Sequence, residues 1–228
     1  MSETVDEPRI LRAAVAEFIG TAFLLATVVG SGIMAERLTN DVGLQLFANS
    51  TATVFILIAL ILTFSKTSGA HFNPAVTITD LVTGGIGAAQ AGVHIVAQFS
   101  GGATGVIAAN LMFAIDAVNV STKDRVGADL IFAEGVATFG LLIVIFGIVR
   151  AGNAGMVSFA VGGYIGAAYW FTSSTSFANP AVTVARTLSD TFAGIAPSSA
   201  PLFIVAQLVA TGLAIATIRL LWPSSNGD

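Results

Sequence analysis

One tripeptide occurs twice in this chain: Asn73-Pro74-Ala75 and Asn179-Pro180-Ala181. Asn is a strong helix N-cap, because its side-chain oxygen accepts backbone N–H groups left open at a helix start. Pro suits the first helical position, where no N–H is needed and its fixed φ fits. Each copy therefore predicts a helix start. The frames match, His71-Phe72-Asn73-Pro74-Ala75-Val76-Thr77 against Phe177-Ala178-Asn179-Pro180-Ala181-Val182-Thr183. Only about ten residues follow each before a break, at Thr83-Gly84-Gly85 and over residues 190–197, and ten residues make about 15 Å of helix, half a bilayer. Two half-helices in an apolar chain imply a polar site at mid-membrane, with their positive N-terminal ends pointing at it.

The surrounding composition is that of a membrane protein. Of 228 residues, 55% are apolar and 10% charged, where a soluble domain carries about 25% charged residues. The length allows about six spanning helices with short loops. There is no cysteine, so neither disulfides nor thiol chemistry enter. Net charge is −4 and the nine Lys and Arg are scattered, so no basic patch suggests nucleic acid. No cofactor or metal-ligand pattern stands out. The first nine residues are polar and acidic, unlike the basic start of a signal peptide. Residues 1–8 and 223–228 are expected to be loose tails of a single domain covering residues 1–228.

Six apolar segments are expected, near residues 10–35, 46–64, 86–113, 130–149, 156–171 and 202–222. The half-helices fall after the second and fifth. A polar loop over residues 116–129 is the longest connection, and small residues around Gly101, Gly102 and Gly105 favour close helix packing in lipid. The chain repeats. Ala16-Glu17-Phe18-Ile19-Gly20-Thr21 resembles Ala133-Glu134-Gly135-Val136-Ala137-Thr138, the Asn-Pro-Ala copies follow, and Ile95-Val96-Ala97-Gln98 matches Ile204-Val205-Ala206-Gln207. These landmarks recur at offsets of 117, 106 and 109 residues (17 to 134, 73 to 179, 98 to 207). Each repeat, about 10–113 and 130–222, holds three spans. An odd number forces the second to insert upside down, the inverted-repeat plan with its site between the repeats. The half-helices then meet head to head. With both termini cytoplasmic, five cationic residues lie inside and four outside, thin support for that orientation.

These motifs resemble the major intrinsic protein family, the aquaporins and aquaglyceroporins, over nearly all of residues 10–222. The resemblance implies an all-α membrane fold of six transmembrane helices and two re-entrant half-helices. It also implies a narrow pore in each protomer of a homotetramer, set in lipid in the inner (plasma) membrane, and passive flow of small neutral solutes. No enzymatic activity is implied. A neutral solute needs hydrogen-bond partners across the apolar slab. Asn73 and Asn179 can each donate one amide N–H into such a pore while their oxygens cap the half-helices, and the opposed helix ends make its centre electropositive.

Glu17 and Glu134 are carboxyls inside spans, which usually serve a cavity or unsatisfied backbone. Both are assigned as acceptors for N–H groups of the loops before the half-helices, their role in the family, with a proton relay as the lesser reading. Gln98 and Gln207 are expected to do similar scaffold work. His71 should sit at the inner pore mouth; a structural hydrogen bond there is preferred over a pH gate. Most family members carry Arg directly after the second Asn-Pro-Ala, where this chain has Val182. Carrying the family spacing over, the other constriction residues would be Thr53, Ser176, and Gly166 or Ala167, with Ala167 taken. Thr, a tiny residue, Ser and Val make a wide ring without fixed charge. That favours glycerol-sized polyols or metalloid hydroxides; bacterial members with Val at this position resemble channels for As(OH)3-like molecules. Arg186, four residues beyond Val182, could lean back over the outer vestibule. The preferred reading is that it bonds loop carbonyls or pairs with Asp190.

Three other classes compete. An ion-coupled secondary transporter also uses inverted repeats and broken helices, but needs an ion site. An intramembrane hydrolase would need a Ser–His pair, for which Ser68 and His71 are the candidates. A purely structural membrane protein would show no flux at all.

Overall fold

The computed structural model describes residues 7–223. Eight α-helices carry the fold: α1 (Glu7–Leu38), α2 (Val42–Ser68), α3 (Pro74–Val82), α4 (Ala88–Met112), α5 (Ala128–Arg150), α6 (Val157–Phe171), α7 (Pro180–Ala185) and α8 (Ala200–Leu221). All except α3 and α7 fall in the six candidate membrane spans, long and apolar enough to cross a bilayer. The expected segments fall inside them or overrun an end by a residue or so. α1 begins at Glu7, inside the stretch expected to be loose; residues 1–6 and 224–228 lie outside the described residues.

Local signals set the boundaries. α2 starts at Asp41, whose carboxylate accepts from Leu44 N at 3.0 Å, and stops at Gly69, which takes φ +89°. α3 and α7 are the half-helices. α7 is shorter than expected, but a 3-10 turn over Arg186–Leu188 continues it. Both re-entrant pieces therefore run nine residues from their Pro, 74–82 and 180–188.

α1 packs along α4 and α5 along α8, while α2 and α6 face each other. Gly101 and Gly105 explain the first of these contacts. A Cβ on Gly101 would lie 2.3 Å from the Phe18 carbonyl oxygen, and one on Gly105 2.1 Å from that of Ala22. Two glycines four apart thus bring α4 onto the backbone of α1. The repeats interlock through the half-helices: α3 touches α4 and α8, and so does α7. The loop between α4 and α5 crosses to α7's end, where Asn119 N donates to Leu188 O at 3.0 Å and Ser121 N to Thr187 O at 2.9 Å. Outward faces are apolar, with Phe23, Phe55, Phe132, Val205 and Leu220 more than half exposed, as a hydrocarbon solvent requires.

Candidate functional site

The two half-helices meet start to start. Asn73 and Asn179 are extended (φ −155° and −159°) and cap their helices. Asn73 Oδ1 accepts from Ala75 N at 2.9 Å; Asn179 Oδ1 accepts from Ala181 N at 3.0 Å and Val182 N at 3.2 Å. Each Nδ2 then crosses to the other repeat. Asn73 Nδ2 donates to Ala178 O and Asn179 Nδ2 to Phe72 O, both at 2.8 Å. An amide has two N–H donors, so one remains on each Asn, and both side chains line the central cavity. The cross-tie between repeats was not foreseen from sequence; the caps and the spare donors were.

The loops feeding these Asn residues are held by the buried carboxylates. Glu17 Oε1 accepts from Ser68 Oγ (2.6 Å) and His71 N (2.9 Å); its Oε2 accepts from Phe72 N and Gln98 Nε2, both at 2.7 Å. Glu134 Oε1 accepts from Phe177 N (2.8 Å), and its Oε2 from Ala178 N (2.9 Å) and Gln207 Nε2 (2.8 Å). Gln98 and Gln207 spend their second N–H on Thr77 and Thr183, both at 2.9 Å, and those hydroxyls donate to the Asn73 and Asn179 carbonyls. The loops need this hold. Ala70, Phe72, Ser176 and Ala178 all have φ between +48° and +53°, which costs a residue with a Cβ on the order of 1 kcal/mol or more.

The same bonds aim the carbonyls. In a trans peptide, C=O and N–H point opposite ways. With the N–H groups of 71, 72, 177 and 178 turned to Glu17 and Glu134, the carbonyls of Ala70, His71, Ser176 and Phe177 point the other way. All four residues line the cavity, so acceptors flank the two Asn donors on either side.

That cavity holds about 490 Å³. It runs from Lys66 and Asp80 at the inner mouth, on the side of the chain ends, past Asn73 and Asn179, to Phe177 and Arg186 at the outer mouth. His71 lines the inner end, with Nδ1 3.1 Å from Thr77 Oγ1 and Nε2 3.4 Å from Asp80 Oδ2. Ser68 and His71 do not form a nucleophile–base pair: the serine hydroxyl donates to Glu17 and the ring nitrogens meet Thr77 and Asp80.

Thr53, Ser176 and Val182, expected to form an outer constriction, all line the cavity. Ala167 does not. It lies on the exposed face of α6, and Gly166 turns toward α2, where a Cβ would meet Val54 Cγ2 at 2.6 Å. The α6 residues on the cavity are Val157, Ser158, Val161, Ile165 and Tyr169, on one face of the helix. Position 167 is two residues, about 200°, from 165 and 169 and faces away. Tyr169 takes the expected small residue's place, its hydroxyl 3.1 Å from Thr53 Oγ1. The 3–4 periodicity of Val161, Ile165 and Tyr169 is the signal that finds it in the sequence.

Arg186 is buried and lines the outer end. Its Nε donates to the Ala193 carbonyl, and its guanidinium carbon lies 3.4 Å from the Phe177 ring centroid. It meets a loop carbonyl, as preferred, but not Asp190, whose carboxylate accepts from Thr122 N at 2.9 Å and Thr122 Oγ1 at 3.0 Å.

Six spans around two head-to-head half-helices, with donors and acceptors along one cavity, define a transmembrane pore protein. The profile of the family described as "MIP: Major intrinsic protein" matches residues 4–173. A protein named aquaglyceroporin AqpS from Rhizobium meliloti (strain 1021) is 44% identical over 217 residues, 95% of this chain and 93% of that one. A probable aquaporin TIP-type of Medicago truncatula is 34% identical over 176 residues, 72% of this chain and 69% of that one. The X-ray structure of the aquaglyceroporin from Plasmodium falciparum superposes with a TM-score of 0.68 at 20% identity, covering 94% and 96% of the two chains, a likeness of fold. The chain belongs to the major intrinsic protein family. It is a passive channel for small uncharged solutes.

Proposed function

We propose that this channel passes glycerol-sized polyols and neutral metalloid hydroxides such as As(OH)3 alongside water, as a homotetramer in the plasma membrane with both chain ends cytoplasmic. The observation that carries the reading is Val182 on the cavity wall, at the position where the family resemblance leads one to expect an Arg. A branched apolar side chain of four heavy atoms fewer leaves room for a solute with three hydroxyls and fixes no charge in the ring. Thr53 and Tyr169 supply hydroxyls beside it. The 44% identical relative carries the name aquaglyceroporin, which supports the polyol part. Glu17 and Glu134 are occupied by backbone and side-chain donors, so no coupling-ion site is drawn from them.

The test is flux into proteoliposomes for water, glycerol, urea and arsenite at neutral pH, where arsenite is uncharged. Glycerol and arsenite should pass without saturation at millimolar concentration and without an ion gradient. Water flux alone, or solute flux driven by an ion gradient, would overturn the reading.

A further inference from the structure

We propose that Arg186 is the specificity-determining cation of this channel, standing one helical turn outside Val182, where it repels cations and offers donors to solute hydroxyls. The proposal rests on the passive-channel reading.

The donors of Arg186 are mostly unspent. A guanidinium carries five N–H groups, and among the described residues the protein takes one, the Nε–H given to Ala193 O. The side chain is 3% exposed, yet it lines the cavity and its Nη atoms are not among the sealed, unpartnered polar atoms. Those groups therefore open onto the solute path. A purely structural arginine at this depth would spend its fork on carboxylate or several carbonyls.

Its charge is held without being cancelled. Three successive carbonyls of the turn after α7 each take one cation: Phe192 O from Lys123 Nζ at 2.9 Å, Ala193 O from Arg186 Nε, and Gly194 O from Arg125 Nε at 3.0 Å. The Phe177 ring faces both guanidiniums, at 3.4 Å for Arg186 and 4.9 Å for Arg125. The nearby acids bind backbone instead: Asp190 takes Thr122 N, and Glu36 takes Phe192 N at 3.0 Å. Carbonyl dipoles and a ring face orient a cation but leave its charge, so Arg186 presents a cation at this end of the cavity.

The inverted repeat sharpens the point. Arg186 stands seven residues after Asn179, and Asp80 seven after Asn73. Each folds back on the residue two before its Asn: Arg186 on Phe177, Asp80 on His71. Equivalent positions thus carry opposite charges at opposite mouths.

The experiment uses purified full-length channel in proteoliposomes, with Arg186→Leu, Arg186→Gln, Arg186→Lys and the double variant Val182→Arg/Arg186→Leu. Potassium and proton leak are read beside glycerol and water flux, and folding is checked by size exclusion and melting. Arg186→Leu and Arg186→Gln should raise cation leak by roughly tenfold or more relative to glycerol flux, since a unit charge acts strongly over a few ångströms in a partly desolvated mouth. Arg186→Lys should keep leak low. The double variant should return leak to the wild-type level while glycerol flux falls relative to water, because charge is restored but the ring is narrowed. Should Leu fail to fold, the Gln and Lys pair decides. Unchanged leak in a folded Gln or Leu variant, or equal leak in Gln and Lys, overturns the role of Arg186. Absence of any solute flux in the wild type overturns the channel reading itself, before the variants are compared.

Discussion

Replacing Glu134 by Gln removes one charge and one acceptor from a buried carboxylate that meets three donors, Phe177 N, Ala178 N and Gln207 Nε2. An amide keeps one oxygen. Set at the Oε2 position, it preserves the bonds to Ala178 and Gln207 and turns an NH2 group toward the Phe177 N–H. One charge-assisted bond is lost and a buried donor is left facing a donor, a cost of about 2–5 kcal/mol. Glu17→Gln should be milder. There the displaced NH2 can donate to Ser68 Oγ, a hydroxyl free to rotate, which now gives its hydrogen to Glu17 at 2.6 Å. That recovered bond is worth about 1 kcal/mol. Melting of the detergent-solubilised protein should therefore fall for both variants and further for Glu134→Gln. Glycerol flux should fall with it, because the loop carrying the positive-φ residues Ser176 and Ala178 loses its support. Adding Ser68→Ala should make Glu17→Gln as severe as Glu134→Gln. Wild-type melting and flux in Glu134→Gln would refute the scaffold argument. Unchanged melting with complete loss of flux would refute it in favour of a proton-transfer role.

Val182→Arg should narrow the solute range, cutting glycerol and arsenite flux more than water flux; equal loss of all fluxes in a folded variant would deny position 182 its selectivity role. Gly105→Ala places a Cβ 2.1 Å from the Ala22 carbonyl oxygen and should destabilise by about 1–3 kcal/mol as α4 is forced off α1, with the melting point as readout. The Asp190 carboxyl is held below the usual carboxylate range, first by the Thr122 N–H and then by the Thr122 and Ser121 hydroxyls. A depressed folded pKa means the tie contributes above the unfolded value near pH 4 and fades as pH falls through the folded value. Asp190→Asn should therefore speed hydrogen exchange of the Thr122 amide at neutral pH and remove its acid dependence.

Much of this was legible because membrane insertion leaves few options. A polar tripeptide that starts a helix in an apolar chain must face a cavity, and an intramembrane Glu must meet donors, so Asn73, Asn179, Glu17 and Glu134 were each placed with their main partners. The first half-helix break was legible from Gly84, while the second, expected over residues 190–197, comes just earlier, after Leu188. Tyr169 was not found, because spacing was counted along the chain from Asn179. The irregular link over residues 172–178, with positive φ at Thr175 and Ser176, gives no fixed rise per residue. The periodicity inside α6 was the better ruler. The crossed bonds from Asn73 and Asn179 to Ala178 and Phe72 need the head-to-head distance, which no single-chain pattern carries. The stacking of Arg125 on Phe177 needs the fold too, since Arg125 reaches that ring from a loop some fifty residues upstream.

Comparison of the repeats with each other separates fold from selectivity. Where symmetry is kept, the residues support backbone: Glu17 and Glu134, Gln98 and Gln207, Thr77 and Thr183, with Ser68 and Ser174 each accepting from the N–H two residues on. Changing one member of such a pair disturbs a loop that both repeats need, because each half-helix is tied to the other through its Asn. Where symmetry is broken, the residues face the solute. His71 answers to Phe177 and Asp80 to Arg186, so one mouth presents an imidazole and a carboxylate, the other a ring and a guanidinium. Val76 and Val182 are equivalent, and both line the cavity; in the family at large the outer one is where Arg breaks the match. Here the break sits one turn further out. On the proposed reading, charge and constriction are carried by two residues, and either can then change without the other. On that reading solutes should be admitted by size at 182 and ions rejected by charge at 186.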